Sequence, residues 1–150
     1  MIIKNLSADL IRNLEKVLNQ NLGDKSSIIA AKPVSGGSIN EVYRLQTNSG
    51  FFILKLNDAI KFPNMFALEA EGLAAIRQTK TIAVPDVTGT GIAGNQSFLL
   101  LENIETGPKS KASMQKLGSQ LAEMHQNTAE DFGFEKDNYM GSLPQSNRKQ

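Results

Sequence analysis

The run FFILKLN at positions 51–57 places a lysine, Lys55, among Ile53, Leu54 and Leu56 in a stretch that otherwise reads as a strand. A charged side chain is rarely tolerated inside a strand unless it has a partner. The fold must therefore bring an acid to Lys55 or leave its side of the sheet open. The neighbouring runs at 28–31 and 42–45 are also short and rich in β-branched and aromatic residues. TNSG, at 47–50, has the composition of a turn between the second and third runs. Three strands in an antiparallel meander are expected, with the lysine on the third.

Helical spacing flanks this block on both sides. Leu10, Ile11, Leu14, Val17 and Leu18 recur at i, i+3 and i+4, with Ser7 as a candidate N-cap and Gly23 as a candidate C-terminal stop. A second helix is read from Phe66, Leu73 and Ile76, with Asn64 as its candidate cap. VPDVTGTG and QSFLLLENIE follow as two extended segments joined by the turn IAGN, and a third helix runs on Leu117, Leu121 and Met124 before an irregular polar tail. The expected order is helix, three strands, helix, two strands, helix.

Composition removes several classes of function. At 150 residues, 40% apolar and 21% charged, the chain is long enough for an ordinary globular core. Sixteen Lys and Arg against fifteen Asp and Glu leave a net charge of +1 with no basic block, so no nucleic acid partner is expected. The absence of cysteine excludes disulfides and thiolate chemistry. Neither a leader-like start nor a run of about 18 apolar residues is present, and the expectation is a cytoplasmic protein without a membrane partner.

The order of three strands, a helix and two strands gives Lys55 a role. In phosphoryl-transfer lobes of the protein-kinase type, a glycine-containing turn between the first two strands lies over the nucleotide phosphates. A lysine on the third strand contacts those phosphates while pairing with a glutamate on the next helix. Here the turn is SGGS at 35–38, with Gly36, Gly37 and Ser38, and the helix offers Glu69 and Glu71. Glycines let backbone N–H groups approach phosphate oxygens, and a carboxylate keeps the ammonium charged and aimed. Glu69 shares a helix face with Phe66, Leu73 and Ile76, so Glu69 rather than Glu71 is the expected partner. Singly, each signal is commonplace as a hairpin turn, an edge lysine or a solvated glutamate; their order and spacing carry the reading. The full G-x-G-x-x-G and V-A-I-K motifs are missing, which argues against a conventional protein kinase.

GGSINEVYRL, FFILKLN, MFALEAEGLAAI, VPDV and, above all, LGSQLAEMHQNTAEDFGFEKDNYMGSLPQSN resemble the fructosamine kinase family, the ketosamine 3-kinases, from about position 28 to 147. The resemblance implies an α+β fold: a protein-kinase-like N-terminal lobe with a five-stranded antiparallel sheet and flanking helices at 1–104, then a linker, the first helix of a helical C-terminal lobe and an irregular tail at 105–150. It implies ATP with magnesium as cofactors, Lys55 as the nucleotide-phosphate lysine, Glu69 as its partner, and the Gly36, Gly37 and Ser38 turn as the phosphate cover. It further implies that Glu102, Asn103 and Ile104 form the hinge to which adenine hydrogen-bonds through backbone groups. The implied reaction is ATP-dependent phosphorylation of a ketosamine, the sugar–amine adduct of early glycation, at its 3-hydroxyl, which leads to deglycation.

Members of that family also carry a His-Gly-Asp loop and a later metal-binding aspartate. Neither is found here, so the sequence is expected to hold no catalytic or metal-ligating residue and to be an ATP-binding N-terminal part that is inactive alone. Two alternatives stand beside this reading: a stand-alone nucleotide- or partner-binding module, which self-associates through the uncovered lobe interface, and a small-molecule kinase of the aminoglycoside or choline type. His125 is expected to pack near Leu121 and Met124 rather than to act as a base. Asp131 and Asp137 are expected to be solvated or capping residues, Phe132, Phe134 and Tyr139 to anchor the tail, and Met65 and Phe66 to lie in the core.

Overall fold

The computed structural model describes residues 6–23, 25–35 and 39–148. Helix α1 (Ala8–Leu22) begins where the Ser7 side chain accepts the Leu10 N–H at 3.1 Å. It ends at Gly23, whose φ of 74° is a conformation that costs glycine little. Strands β1 (Ile28–Pro33), β2 (Glu41–Thr47) and β3 (Gly50–Asp58) form the antiparallel meander expected from the sequence. Helix α2 (Met65–Gln78) and strands β4 (Val87–Ala93) and β5 (Gln96–Glu102) follow, and then α3 (Lys111–Met124), β6 (Asn138–Met140) and β7 (Leu143–Gln145). The chain divides into two compact units, Met1–Ala70 with Pro85–Asn103 and Glu71–Val84 with Ile104–Gln150.

The first unit holds a five-stranded sheet in the order β1-β2-β3-β5-β4, in which every neighbouring pair is antiparallel. Strand β3 is therefore central, and alternation along it separates two environments. Phe52, Leu54 and Leu56 join Tyr43, Leu45, Phe98 and Leu100 in a core with Leu10, Leu14 and Leu18 of α1. Those three helix residues are 0% exposed, and each fully buried leucine contributes about 1.5–3 kcal/mol. A Cβ at Gly89 would lie 2.5 Å from Val17 Cγ1, so α1 approaches β4 at a distance that only glycine permits.

Ile53, Lys55 and Asn57 point to the other side of β3 and lie opposite Leu101, Leu99 and Ser97 of β5. Met65 and Phe66, at the start of α2, are buried as expected. The buried Asn57 amide donates to Met65 Sδ at 3.0 Å and to Asn40 Oδ1 at 3.3 Å, while its oxygen accepts from the Ser97 hydroxyl. Asn64 does not cap α2 in the manner of Ser7. Its φ is 60°, and its carbonyl accepts the Leu68 N–H at 2.9 Å.

In the second unit, a reciprocal capping box between Ser110 and Ser113 starts α3. The helix forms where its apolar spacing predicts, but Met114, Leu117 and Leu121 remain exposed. His125 is exposed at the C-terminal end of α3 rather than packed. The tail is more regular than expected, because β6 and β7 pair as a hairpin around Gly141, whose φ is 64°. Asn147 ties down this hairpin: its N–H donates to Asp137 Oδ1 at 2.7 Å, and its side-chain amide donates to the Lys136 carbonyl and Asn138 Oδ1, both at 2.9 Å. Phe132 is 83% exposed and anchors nothing, whereas Phe134 and Tyr139 are half-buried.

Candidate functional site

Lys55 is held between two strands, opposite Val42 of β2 and Leu99 of β5. Its long stem crosses an apolar part of the sheet, and its ammonium reaches the carboxylate of Glu69 on α2. The Nζ lies 2.6 Å from Oε1 and 2.7 Å from Oε2, so both oxygens share one donor group. The Phe66 ring, one helical turn before Glu69, has its centroid 5.8 Å from the same nitrogen. The two charged side chains are 22% and 31% exposed. They are sheltered enough to be oriented, and open enough for the ammonium to take an anionic ligand. Glu71 points elsewhere and pairs with Lys136 at 2.7 Å.

At the end of β5, Glu102 is already engaged along the backbone. Its N–H donates to the Asp86 carbonyl at 2.8 Å, and Oε2 accepts the Asp86 N–H at 3.2 Å. Glu102 is three residues beyond Leu99 on the same strand, which places it about 10 Å along the strand from the level of Lys55 at ~3.3 Å per residue. Asn103 is fixed through its side chain, whose Oδ1 accepts from Arg44 Nε at 3.1 Å. The Arg44 guanidinium stacks 4.0 Å from the centroid of Phe51. Ile104 belongs to the second unit and is exposed. Gly36, Gly37 and Ser38 lie outside the described residues; the strand that precedes them is closed by the Val34 N–H donating to the Val42 carbonyl at 2.9 Å.

Sequence reasoning thus named two residues that the fold brings into direct contact, Lys55 and Glu69. It missed Arg44 and Phe51, which steady Asn103. The period of two along β2 was the available signal, because Arg44 falls on the same side as Val42, the partner of Lys55. Asp137 is a turn ligand for the Asn147 N–H. Among the described residues, no group of three or more His, Cys, Asp or Glu side chains is placed to hold a metal ion. No helix of the described residues is long and apolar enough to cross a membrane.

A five-stranded antiparallel sheet whose central lysine is paired to a glutamate on the following helix defines a protein-kinase-like fold. The crystal structure of a candidate fructosamine-3-kinase from Haemophilus somnus 129PT superposes with a TM-score of 0.85 at 28% identity, covering 91% of this chain and 46% of that one. A second, from Thermobifida fusca YX-ER1, gives a TM-score of 0.73 at 25% identity over 93% of this chain and 48% of that one. The fructosamine kinase family model matches residues 10–150, and the chain belongs to that family. It is 40% identical over 145 residues to the chloroplastic protein-ribulosamine 3-kinase of Arabidopsis thaliana, covering 95% of this chain and 43% of the plant protein. It is 38% identical over 117 residues to a candidate ketoamine kinase of Vibrio parahaemolyticus, covering 77% of this chain and 40% of that protein. The chain therefore spans less than half the length of these relatives.

Proposed function

We propose that this chain is the nucleotide-binding part of an ATP-dependent ketosamine kinase, with residues 1–104 as the lobe that takes the nucleotide. The observation that carries the reading is the bidentate approach of Lys55 Nζ to Glu69 across the central strand. When bound, ATP supplies the phosphoryl group. Lys55 then neutralises phosphate charge and Glu69 aims it, while the Gly36, Gly37 and Ser38 turn covers the phosphates and Glu102, Asn103 and Ile104 receive the adenine edge. Magnesium would neutralise phosphate charge as the counter-ion of the nucleotide, and no residue of this chain is assigned to hold it. The acceptor is the 3-hydroxyl of a ketosamine, whose oxygen bonds to phosphorus as the bond to the ADP oxygen breaks. The 3-phosphate then favours elimination of the amine, which makes the role deglycation, in the cytoplasm. The base that takes the hydroxyl proton is assigned to no residue of this chain.

Calorimetric titration of the 150-residue chain with MgATP tests the reading. Lys55→Met is expected to remove most of the affinity, and Glu69→Ala to weaken it less, with both variants still folded by circular dichroism. Unchanged binding in a folded Lys55→Met variant refutes the assignment. A second reading, a partner-binding or self-associating module, draws on the row of exposed apolar residues Met114, Leu117 and Leu121 on α3. Sedimentation at rising concentration separates the two readings.

A further inference from the structure

Helix α2 carries Glu69 in its first half, yet its second half, from Glu71 onward, belongs to the second unit. There, Lys136 Nζ donates to Glu71 Oε1 at 2.7 Å. Phe134, Glu135 and Lys136 form one wall of a cleft of about 450 Å³, and Glu71, Ala74, Ala75 and Gln78 of α2 form the other. Phe134 is half-buried there, in contrast to the exposed Phe132 two residues earlier.

The segment that carries Phe134 and Lys136 is itself held in place. Asn147 bonds to the Lys136 carbonyl, to Asp137 and to Asn138, while Gln145 Nε2 donates to Asn147 Oδ1 at 3.0 Å. Gly133 adopts a φ of 96°, and a Cβ there would meet the Asn147 carbonyl oxygen at 2.8 Å. A side chain at 133 would have to displace backbone, so the chain before Phe134 closes on Asn147 only with glycine. The paired hairpin, Asn147 and Gly133 thus build a fixed platform out of residues 133–147, a polar stretch with little core of its own.

We propose that residues 134–136 are a strap that holds the second half of α2 and, because α2 is one continuous helix, sets the position from which Glu69 meets Lys55. Phe134 and Lys136 are positioning residues that act through the helix and touch no substrate. The ion pair is exposed, with side chains 59% and 43% accessible, so it tunes the strap while Phe134 supplies its apolar hold. For nucleotide binding, the inference rests on the kinase reading given above; for the order of α2, it does not.

The test uses the whole 150-residue chain with two readouts, amide hydrogen exchange along α2 and MgATP titration. Lys136→Glu is expected to speed exchange at α2 amides about two- to fivefold, Phe134→Ala by about tenfold, with β3 and β5 protection unchanged. The charge swap Glu71→Lys with Lys136→Glu is expected to restore wild-type exchange, which a merely destabilising substitution would not do. MgATP affinity is expected to fall and recover in the same order. Unaltered α2 exchange in both Lys136→Glu and Phe134→Ala overturns the strap whatever the nucleotide does. Faster exchange without any effect on a wild-type affinity that is itself measurable overturns the link to Glu69. A wild-type chain that binds no MgATP refutes the kinase reading instead, and the exchange data still decide the strap.

Discussion

Removing one member of the Lys55–Glu69 pair leaves the other charge partly out of water. Both side chains are less than a third exposed, so the cost lies between that of a surface pair, about 0.2–1 kcal/mol, and that of a stranded buried charge, about 3–5 kcal/mol. We expect Lys55→Met and Glu69→Leu each to destabilise the chain by about 1–3 kcal/mol. The double variant leaves no orphan charge, because its two apolar side chains fill similar volumes beside Phe66 and Leu99. Its stability is expected within about 1 kcal/mol of wild type, which gives a coupling of about 1–5 kcal/mol. Urea unfolding followed by circular dichroism at neutral pH measures all four corners of the cycle. In 1 M salt, where the screening length falls to about 3 Å, the coupling should shrink but persist, since the contact is direct and sheltered. Additive losses in the single and double variants, at either salt concentration, would show that the carboxylate contributes nothing to holding the lysine.

Gly89→Ala drives a methyl group into Val17 and is expected to cost about 1–3 kcal/mol, with Val17→Ala recovering part of the loss in the double variant; urea midpoints that sum independently would count against the close approach of α1 to β4. Asp58 accepts the Lys61 and Ile60 N–H groups, which hold its carboxyl below the ordinary range. A carboxylate with a lowered folded value stabilises the fold above its ordinary range and loses that contribution as pH falls through the lowered value. Asp58→Ala should therefore flatten the acid limb of stability against pH, and an acid limb identical to wild type would exclude this loop as its source.

The sequence disclosed most where local and global demands agree. Ser7, the leucines at 10, 14 and 18, and Gly23 specify one helix from its cap to its stop, and the apolar run around Lys55 specifies one strand with one odd residue. The contact of Lys55 with Glu69 was legible because strand and helix periods each fix a face. The hairpin at 138–145 was not: its strands are three residues long, one contains Pro144, and its order comes from Asn147 rather than from alternation. The anchoring role given to Phe132 failed for a related reason, since an aromatic residue in a polar segment carries no period to say which way it points. Arg44 stayed hidden because its partners, Phe51 and Asn103, meet only once three strands are assembled.

The buried amide of Asn57 bears on how the sheet finds its alignment. Asn57 and Ser97 are direct partners across β3 and β5, two residues along from Lys55 and Leu99. Sliding either strand by one position would unmake that polar match, and a one-residue slip of β3 would also turn Lys55 into the leucine-lined layer beneath α1. The slipped arrangement would leave an ammonium without water or an acid, a cost of several kcal/mol. The same lysine that sits at the centre of the candidate site thus also weighs against every odd-numbered slip of β3, while the Asn57–Ser97 match marks the native register among the rest.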